Sequence, residues 1–285
     1  MPLPAGVVSR PALAFTTDAL AEIMTACFEA YVVPMTMTGE AFNGRFRREN
    51  LDLQASRVFV EGEHPVALVL VVRRGWTARI GAMGIVTDFR GKGLGRAALQ
   101  SVMEDLRKAG DRRLLLEVIA SNEPAVRLYK SLGFKVRRNL VGYRRPAGSI
   151  NPADVTDLVE VDPLTVARIV AAEGAPDLPW FMAPETLAAC TAPARGLALS
   201  KEAFAIVEPA PQPNLLSLRT LVVARHARGR GLGRRMITSL AAAHPQQDLV
   251  ISANFPEELA AGFITRMGFE RTPIGQFEMD LDLTA

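Results

Sequence analysis

Cysteine is nearly absent. Cys27 and Cys190 are the two among 285 residues, one in each half of the chain, so no disulfide framework is expected and neither has a metal-ligating neighbour. Histidine is as scarce: His64, His226 and His244 are scattered, and they suggest neither a metal site nor a Ser/His/Asp triad. No apolar run approaches the ~20 residues that span a bilayer. No dense Lys/Arg run is interleaved with aromatics, which removes the usual footprint of nucleic-acid binding. The opening stretch MPLPAGVVSRPALAF carries prolines and no apolar signal core. Together these absences lead to the expectation of a cytoplasmic protein that needs no metal, membrane or nucleic acid.

What is present fits a folded chain, with 49% apolar and 22% charged residues. The length suits two domains of roughly 140 residues. Charge divides with them: 22 Lys+Arg stand against 14 Asp+Glu before Ser149, and 11 against 16 from there on. A basic first half would steer a phosphate-bearing or acidic ligand, or simply dock on an acidic second half. The stretch RPAGSINPAD at 145–154 has linker composition, so domains are expected at 1–148 and 149–285.

Periodicity orders each half similarly. In the first, Thr17 or Asp18 caps a helix running to Ala30, and a second helix follows Thr38. Strand-like runs occupy 56–61, 66–74 and 78–86. A helix over Leu94–Leu106, a buried strand at 113–119, a short helix closed by Gly133 and two strands at 135–139 and 141–145 complete it. The second half shows a helix capped by Asp162 with Pro163 in its first turn, then EAFAIVEP and LLSLRTLVVA as strands. A helix through Ala243, the strand DLVISA, a helix from near Pro256 and a last strand ending near Leu283 follow. The fold class expected is α+β in three layers, two repeated units with mixed sheets.

Between a strand and a helix, each half writes nearly the same phrase: RGKGLGRAAL from Arg90 and RGRGLGRRMI from Arg228. Bare backbone N–H groups at a helix N-terminus make a phosphate cradle, with Arg90, Lys92 and Arg96, or Arg228, Arg230 and Arg234, as counter-charge. An ordinary tight turn is the alternative for the glycines. Neither G-x-x-x-x-G-K-[ST] nor G-x-G-x-x-G occurs here. What does occur is R-x-x-G-x-G, as Arg90, Gly93, Gly95 and as Arg228, Gly231, Gly233.

This phrase resembles the coenzyme A pyrophosphate loop of the GNAT N-acetyltransferase superfamily. Its context strengthens the resemblance, because LEVIASNEPAVRLYKSLGF at 116–134 is similar to the corresponding stretch of ribosomal-protein alanine N-acetyltransferases. The resemblance covers most of residues 10–145 and, more loosely, 215–283. It implies two tandem GNAT-like domains, each a mixed, partly splayed β-sheet flanked by helices, with the pantetheine arm lying between the splayed strands. It implies further that the backbone of Met83, Gly84 and Ile85 pairs with pantetheine, and that the amides of Gly91, Lys92, Gly93, Leu94, Gly95 and Arg96 hold the pyrophosphate. Asn122 would meet pantetheine or cap the next helix.

Transfer of an acetyl group needs a neutral amine, and at pH 7 a lysine-like amine of pKa ~10.4 is about 0.1% neutral. Glu117, inside LLLEVIA, is the candidate base acting through water, with a structural ion pair as the alternative. Tyr129 takes the place of the family's proton donor to the departing thiolate, with a core tyrosine as the alternative.

In the second half the resemblance places Leu221, Val222 and Val223 along pantetheine, and Gly229, Arg230, Gly231, Leu232, Gly233 and Arg234 at the pyrophosphate. Counting back from Met267–Phe269 puts Ile264 at the tyrosine position. Counting from Asn254 puts Leu249 at the glutamate position and implies three extra residues before Gly268. The second domain is therefore expected to bind coenzyme A without turning it over. The function expected is acetyl-CoA-dependent transfer to a primary amine of a small molecule or peptide by a monomer or homodimer. The alternatives are a non-catalytic acyl-CoA sensor, another acyl donor, or a hydroxyl acceptor. Arg45, Arg47, Arg48 and Glu49 lie where the resemblance puts the acceptor groove and could select a charged acceptor, but a solvated helix face is the preferred reading for any single one of them; Trp76 and Trp180 are expected to pack.

Overall fold

The computed structural model describes residues 2–29, 35–148 and 157–284. Most of the linker composition at 145–154 therefore lies outside the described residues. The first half runs β1 (Val7–Pro11), α1 (Thr17–Phe28), α2 (Gly39–Glu49), β2 (Leu51–Glu61), β3 (His64–Arg74), β4 (Thr77–Ile85), α3 (Leu94–Lys108), β5 (Arg113–Ile119), α4 (Glu123–Ser131) and β6 (Lys135–Arg145). The second runs β7 (Val159–Val161), α5 (Pro163–Glu173), α6 (Pro184–Ala188), β8 (Arg195–Leu199), β9 (Ala203–Pro209), β10 (Leu215–Val223), α7 (Leu232–Ala243), β11 (Asp248–Pro256), α8 (Ala261–Arg266) and β12 (Glu270–Asp282).

Local chemistry accounts for most of these ends. The Thr16 hydroxyl accepts from the Ala19 amide and caps α1, one residue before the expected cap. Thr38 caps α2 through the Ala41 amide, and Asp162 caps α5 through the Leu164 amide. Gly133, at φ +94°, closes α4.

Two compact units result, and they do not divide at 148/149. One comprises residues 1–137 with 277–285, the other 138–276. The sequence reads two strands at 135–139 and 141–145, but β6 is a single strand, because Asn139 and Leu140 continue the extended backbone without a turn. Its first three residues belong to the first unit and the rest to the second; β12 is shared in the opposite sense. A linker composition marks where a chain can bend, whereas unit membership is decided by strand pairing and burial, which composition does not carry. Two smaller differences follow from burial as well. β11 extends through Pro256, so α8 begins at Ala261, and Trp76 is 63% exposed, with the Arg112 guanidinium 3.6 Å from its ring centroid.

In the first unit the strands lie in the order β1-β2-β3-β4-β5, followed by the end of β12. β3 reads as an apolar run because both its faces are covered. On one, Val69 and Val71 join Leu94, Leu99, Val102 and Leu106 of α3, Leu114 and Leu116 of β5, and Met279 of β12. Toward the other lie α1 and α2, whose Leu20, Met24, Phe42 and Phe46 are buried. In the second unit the end of β6 is followed by β11-β10-β9-β8-β7. Leu232, Met236, Ile237 and Leu240 of α7 pack with Ala205, Val207, Leu216 and Leu218. Val166, Ala167 and Val170 of α5 pack with Phe204, Ile206 and Val222.

Because Met279 is fully buried in the first unit's core, Met279→Ala is expected to cost about 2–5 kcal/mol. Hydrogen exchange should show the loss in residues 1–137. Loss confined to residues 138–276 would contradict the division of β12.

Candidate active site

The parallel strands β4 and β5 are in register from Thr77–Arg113 to Ile80–Leu116, and there the pairing stops. β4 continues for five residues, still paired with β3 on its other side through Val69–Met83, Leu68–Gly84 and Ala67–Ile85. The backbone of Met83–Ile85 therefore offers its second edge to the gap between β4 and β5. Gly84 is required for close approach: a Cβ there would stand 2.6 Å from Cys27 Cβ and 2.9 Å from the Phe28 ring. Burial in that contact pushes the Cys27 thiol up to about 12, so it is inert as a nucleophile.

Beyond β4 the glycine phrase turns into α3. Gly91 at φ +73° and Gly93 at φ +82° hold left-handed conformations, and Gly93 is the N-cap residue of a 15-residue helix with no side-chain cap. No neighbour lies within 4 Å of a Cβ at Gly91, so this glycine is a requirement of backbone conformation and leaves the approach to the amides open. A phosphate-bearing group fits this loop.

Arg90, expected from sequence as counter-charge, is placed as a brace between two elements. Its Nε donates to the Ile85 carbonyl at 2.9 Å and an Nη to the Cys27 carbonyl at 3.0 Å, tying the end of β4 to the end of α1. Arg96 donates to Ser131 Oγ at 2.5 Å, and the exposed Lys92 lies 5.4 Å from the Phe89 ring centroid.

Glu117 has the ion pair that the sequence held as an alternative. Its Oε2 accepts from Nε of Arg79 at 2.6 Å and from an Nη at 2.5 Å, while a third donor of Arg79 reaches Glu49 Oε2 at 2.8 Å. All three side chains are at most 4% exposed. Oε1 of Glu117 is buried with no hydrogen-bond partner. Burial raises the Glu117 carboxyl above its ordinary value, and Arg79 draws it back. Glu49 also accepts from Arg45 at 3.0 Å, and Arg45 donates to the Gly81 carbonyl at 3.4 Å, so the network joins α2 to β4 and β5. Sequence reasoning missed Arg79; the available signal was a charged residue inside the apolar run ARIGAMGIV, which must find a partner when buried.

Tyr129 is buried on α4, and its hydroxyl lies 3.9 Å from Met83 Sδ, on the strand edge described above. Its ring packs edge-on to Phe134. Asn122 caps α4 by accepting from the Ala125 amide at 3.3 Å. Among the described residues no group of three His, Cys, Asp or Glu side chains forms a metal site.

Residues 17–134 match the Acetyltransferase (GNAT) family. These residues form a GNAT acetyltransferase domain. Over 55 residues the chain is 49% identical to the ribosomal protein bS18 alanine N-acetyltransferase of Escherichia coli K12, covering 18% of this chain and 37% of that one. Over 68 residues it is 41% identical to a mycothiol acetyltransferase of Corynebacterium jeikeium, covering 24% and 20%. The chain thus spans 37% and 20% of the lengths of these curated relatives. Among solved structures it is similar to a GCN5-related N-acetyltransferase from Sphaerobacter thermophilus, at 16% identity and TM-score 0.67, covering 99% of this chain and 97% of that one. A tandem GNAT protein from the clavulanic acid biosynthesis pathway matches at 15% identity and TM-score 0.67, covering 97% and 98%. At these identities the likeness concerns the fold, that of a tandem GNAT protein.

The second unit repeats the GNAT domain's devices. β10 and β11 pair in parallel from Leu215–Asp248 to Ser217–Val250 and then diverge. Gly229 and Gly231 are left-handed at φ +79° and +81°. Arg228 repeats the Arg90 brace, its Nε donating to the Val223 carbonyl at 3.0 Å and an Nη to the Glu173 carbonyl at the end of α5. A cleft of about 880 Å³ opens along Leu221–Val223 and the loop.

Strand register corrects the correspondence counted from Asn254. Thr77 pairs with Arg113 where Leu215 pairs with Asp248, which makes Ser252 the counterpart of Glu117 and assigns Leu249 to Leu114. Gly268 and Gly133 then align without extra residues, both left-handed, and Ile264 remains the counterpart of Tyr129. Asn254 was a misleading anchor because it lies within β11, whereas Asn122 caps a helix.

Removing Arg79 would leave Glu117 and Glu49 buried without their cation. Arg79→Met is expected to lower stability at pH 7.5 by about 3–5 kcal/mol. The deficit should shrink toward pH 5, because a buried carboxyl freed of Arg79 has a raised pKa and the folded state then takes up the protons it binds more tightly. Urea unfolding at the two pH values measures this; an equal deficit at both would contradict it.

Proposed function

We propose that the first unit transfers an acetyl group directly from acetyl-CoA to a primary amine. The observation that carries this is the Tyr129 hydroxyl at Met83, beside the open strand edge and the left-handed glycine loop. The amides of Gly91–Arg96 would hold the pyrophosphate, and the backbone of Met83–Ile85 the pantetheine. When bound, the coenzyme supplies an acetyl thioester. Arg90 keeps the end of β4 fixed on α1, so the strand edge stays in place when ligand enters.

Tyr129 provides a hydroxyl that can stabilise a departing thiolate. A phenol of pKa ~10 need not give up its proton fully to a thiol of pKa ~8.5. Glu117 is assigned as proton acceptor through a water, using Oε1, while Arg79 holds Oε2 in place. The raised carboxyl is better matched to the task than an exposed glutamate. A peptide amine and a small-molecule amine are both acceptors that this chemistry would serve. A cytoplasmic monomer or homodimer is part of the same reading; no helix among the described residues is long and apolar enough to cross a membrane. The second unit would hold coenzyme A along Leu221–Val223 and Gly229–Arg234 without turnover, since Ser252 and Ile264 stand where the first unit has Glu117 and Tyr129.

Thiol release from acetyl-CoA over a panel of peptide and small-molecule amines tests the proposal. Tyr129→Phe should lower kcat by about 10²-fold, with calorimetric affinity for acetyl-CoA retained. Unchanged turnover would exclude Tyr129 as proton donor. Glu117→Gln should lower kcat while leaving KM for acetyl-CoA within about twofold. A loss of thermal stability with kcat preserved would instead make Glu117 a member of the buried ion network alone.

A further inference from the structure

Each unit breaks the register of its central strand at the same place. In the first, Val71 opposes Ile80 and Leu70 opposes Ala82, leaving Gly81 unopposed. In the second, Val207 opposes Leu218 and Ile206 opposes Thr220, leaving Arg219 unopposed. A bulge re-aims its residue. The first unit places a residue without a side chain there; the second places a guanidinium.

Arg219 lines the second unit's cleft with its side chain 15% exposed, and its Nε is buried with no hydrogen-bond partner. The nearest acidic oxygen is Glu208 Oε1, 3.5 Å from Nη1, longer than the roughly 2.7–2.9 Å of a charge-assisted hydrogen bond. A half-buried guanidinium whose Nε is buried and unused is costly unless something completes its coordination. Ser252 and Asn254 line the cleft from β11; Arg225, Arg228 and Arg234 line it at and around the glycine loop and Arg266 from α8, while much of the remaining wall is apolar, including Leu218, Leu221 and Phe263. The order along β10 is informative. Leu221–Val223 lie between Arg219 and the glycine loop, so a coenzyme with its phosphates at the loop carries its acyl end toward Arg219.

We propose that the second unit's cleft binds a coenzyme A derivative together with a carboxylate, which Arg219 holds at the acyl end. This rests on the reading that the second unit binds coenzyme A. The carboxylate is either the terminus of an acidic acyl group or a separate small acid. A carboxylate engages two guanidinium donors at once and can use the idle Nε, whereas a neutral acetyl oxygen uses one. With Ser252 and Ile264 in place of Glu117 and Tyr129, the ligand is bound and not consumed.

Calorimetric titration of the full chain with S-carboxymethyl-CoA and with its neutral counterpart S-ethyl-CoA tests this, each repeated with Gly231→Trp to assign the second-unit component. In that component the carboxymethyl thioether should bind at least about tenfold tighter. Arg219→Leu should abolish the preference and leave S-ethyl-CoA binding unchanged, while Arg219→Lys should retain part of it; thermal melting shows whether each variant is folded. A preference appearing only when succinate is added to S-ethyl-CoA assigns the carboxylate to a separate acid. Equal affinity for both thioethers with no effect of succinate, or a preference that survives Arg219→Leu, overturns the inference while leaving coenzyme binding intact. No component sensitive to Gly231→Trp with either thioether overturns the reading of coenzyme binding and this inference with it.

Discussion

The constraint on which this structure depends is the early end of a parallel strand pairing. β4 and β5 part after Ile80–Leu116, and β10 and β11 part after Ser217–Val250. Beyond those points the facing backbone edges have no partner strand, and along the half-buried Met83–Ile85 their N–H and C=O groups must be satisfied by water or by a ligand. A ligand with amides of its own satisfies them as a further strand would. The gap is where the sheet is left incomplete, and the left-handed glycine loop stands at its mouth with open backbone amides, which is why the coenzyme reading is placed there.

Holding two strands apart needs fixed ends, and the first arginine of the repeated phrase supplies one. Arg90 and Arg228 each hydrogen-bond a carbonyl five residues earlier, at the end of the strand, and a carbonyl at the end of the unit's first long helix. The same residue that looks like a phosphate ligand in sequence is a clamp in space. At the closed end of the first gap, Arg79 bridges Glu49 and Glu117, joining α2, β4 and β5 through buried charges. A network of that kind tolerates few geometries, which suits the wall of a site whose groups must not drift.

The two units separate common architecture from chemistry. Splay, bulge, left-handed glycines and arginine clamp recur in both. Glu117 and Tyr129 do not, and Gly81 gives way to Arg219. Conservation of the scaffold with exchange of the groups lining it is how one fold supports different tasks.

Much of this was legible along the chain. The helix cap at Asp162, the helix that follows Thr38, the strand at Arg113–Ile119 and the left-handed Gly133 follow from local chemistry, since each depends on residues a few positions apart. The repeated glycine phrase and the stretch from Leu116 to Phe134 sufficed to suggest the family and the fold. Interactions between distant residues were not legible. The pairing of Glu117 with Arg79, 38 positions away, the sharing of β6 and β12 between units, and the counterpart of Glu117 at Ser252 are settled by register and burial, which join segments far apart in sequence. Sequence determined which backbone conformations were possible at each loop; tertiary packing decided which charges would be buried together and which would face the cleft.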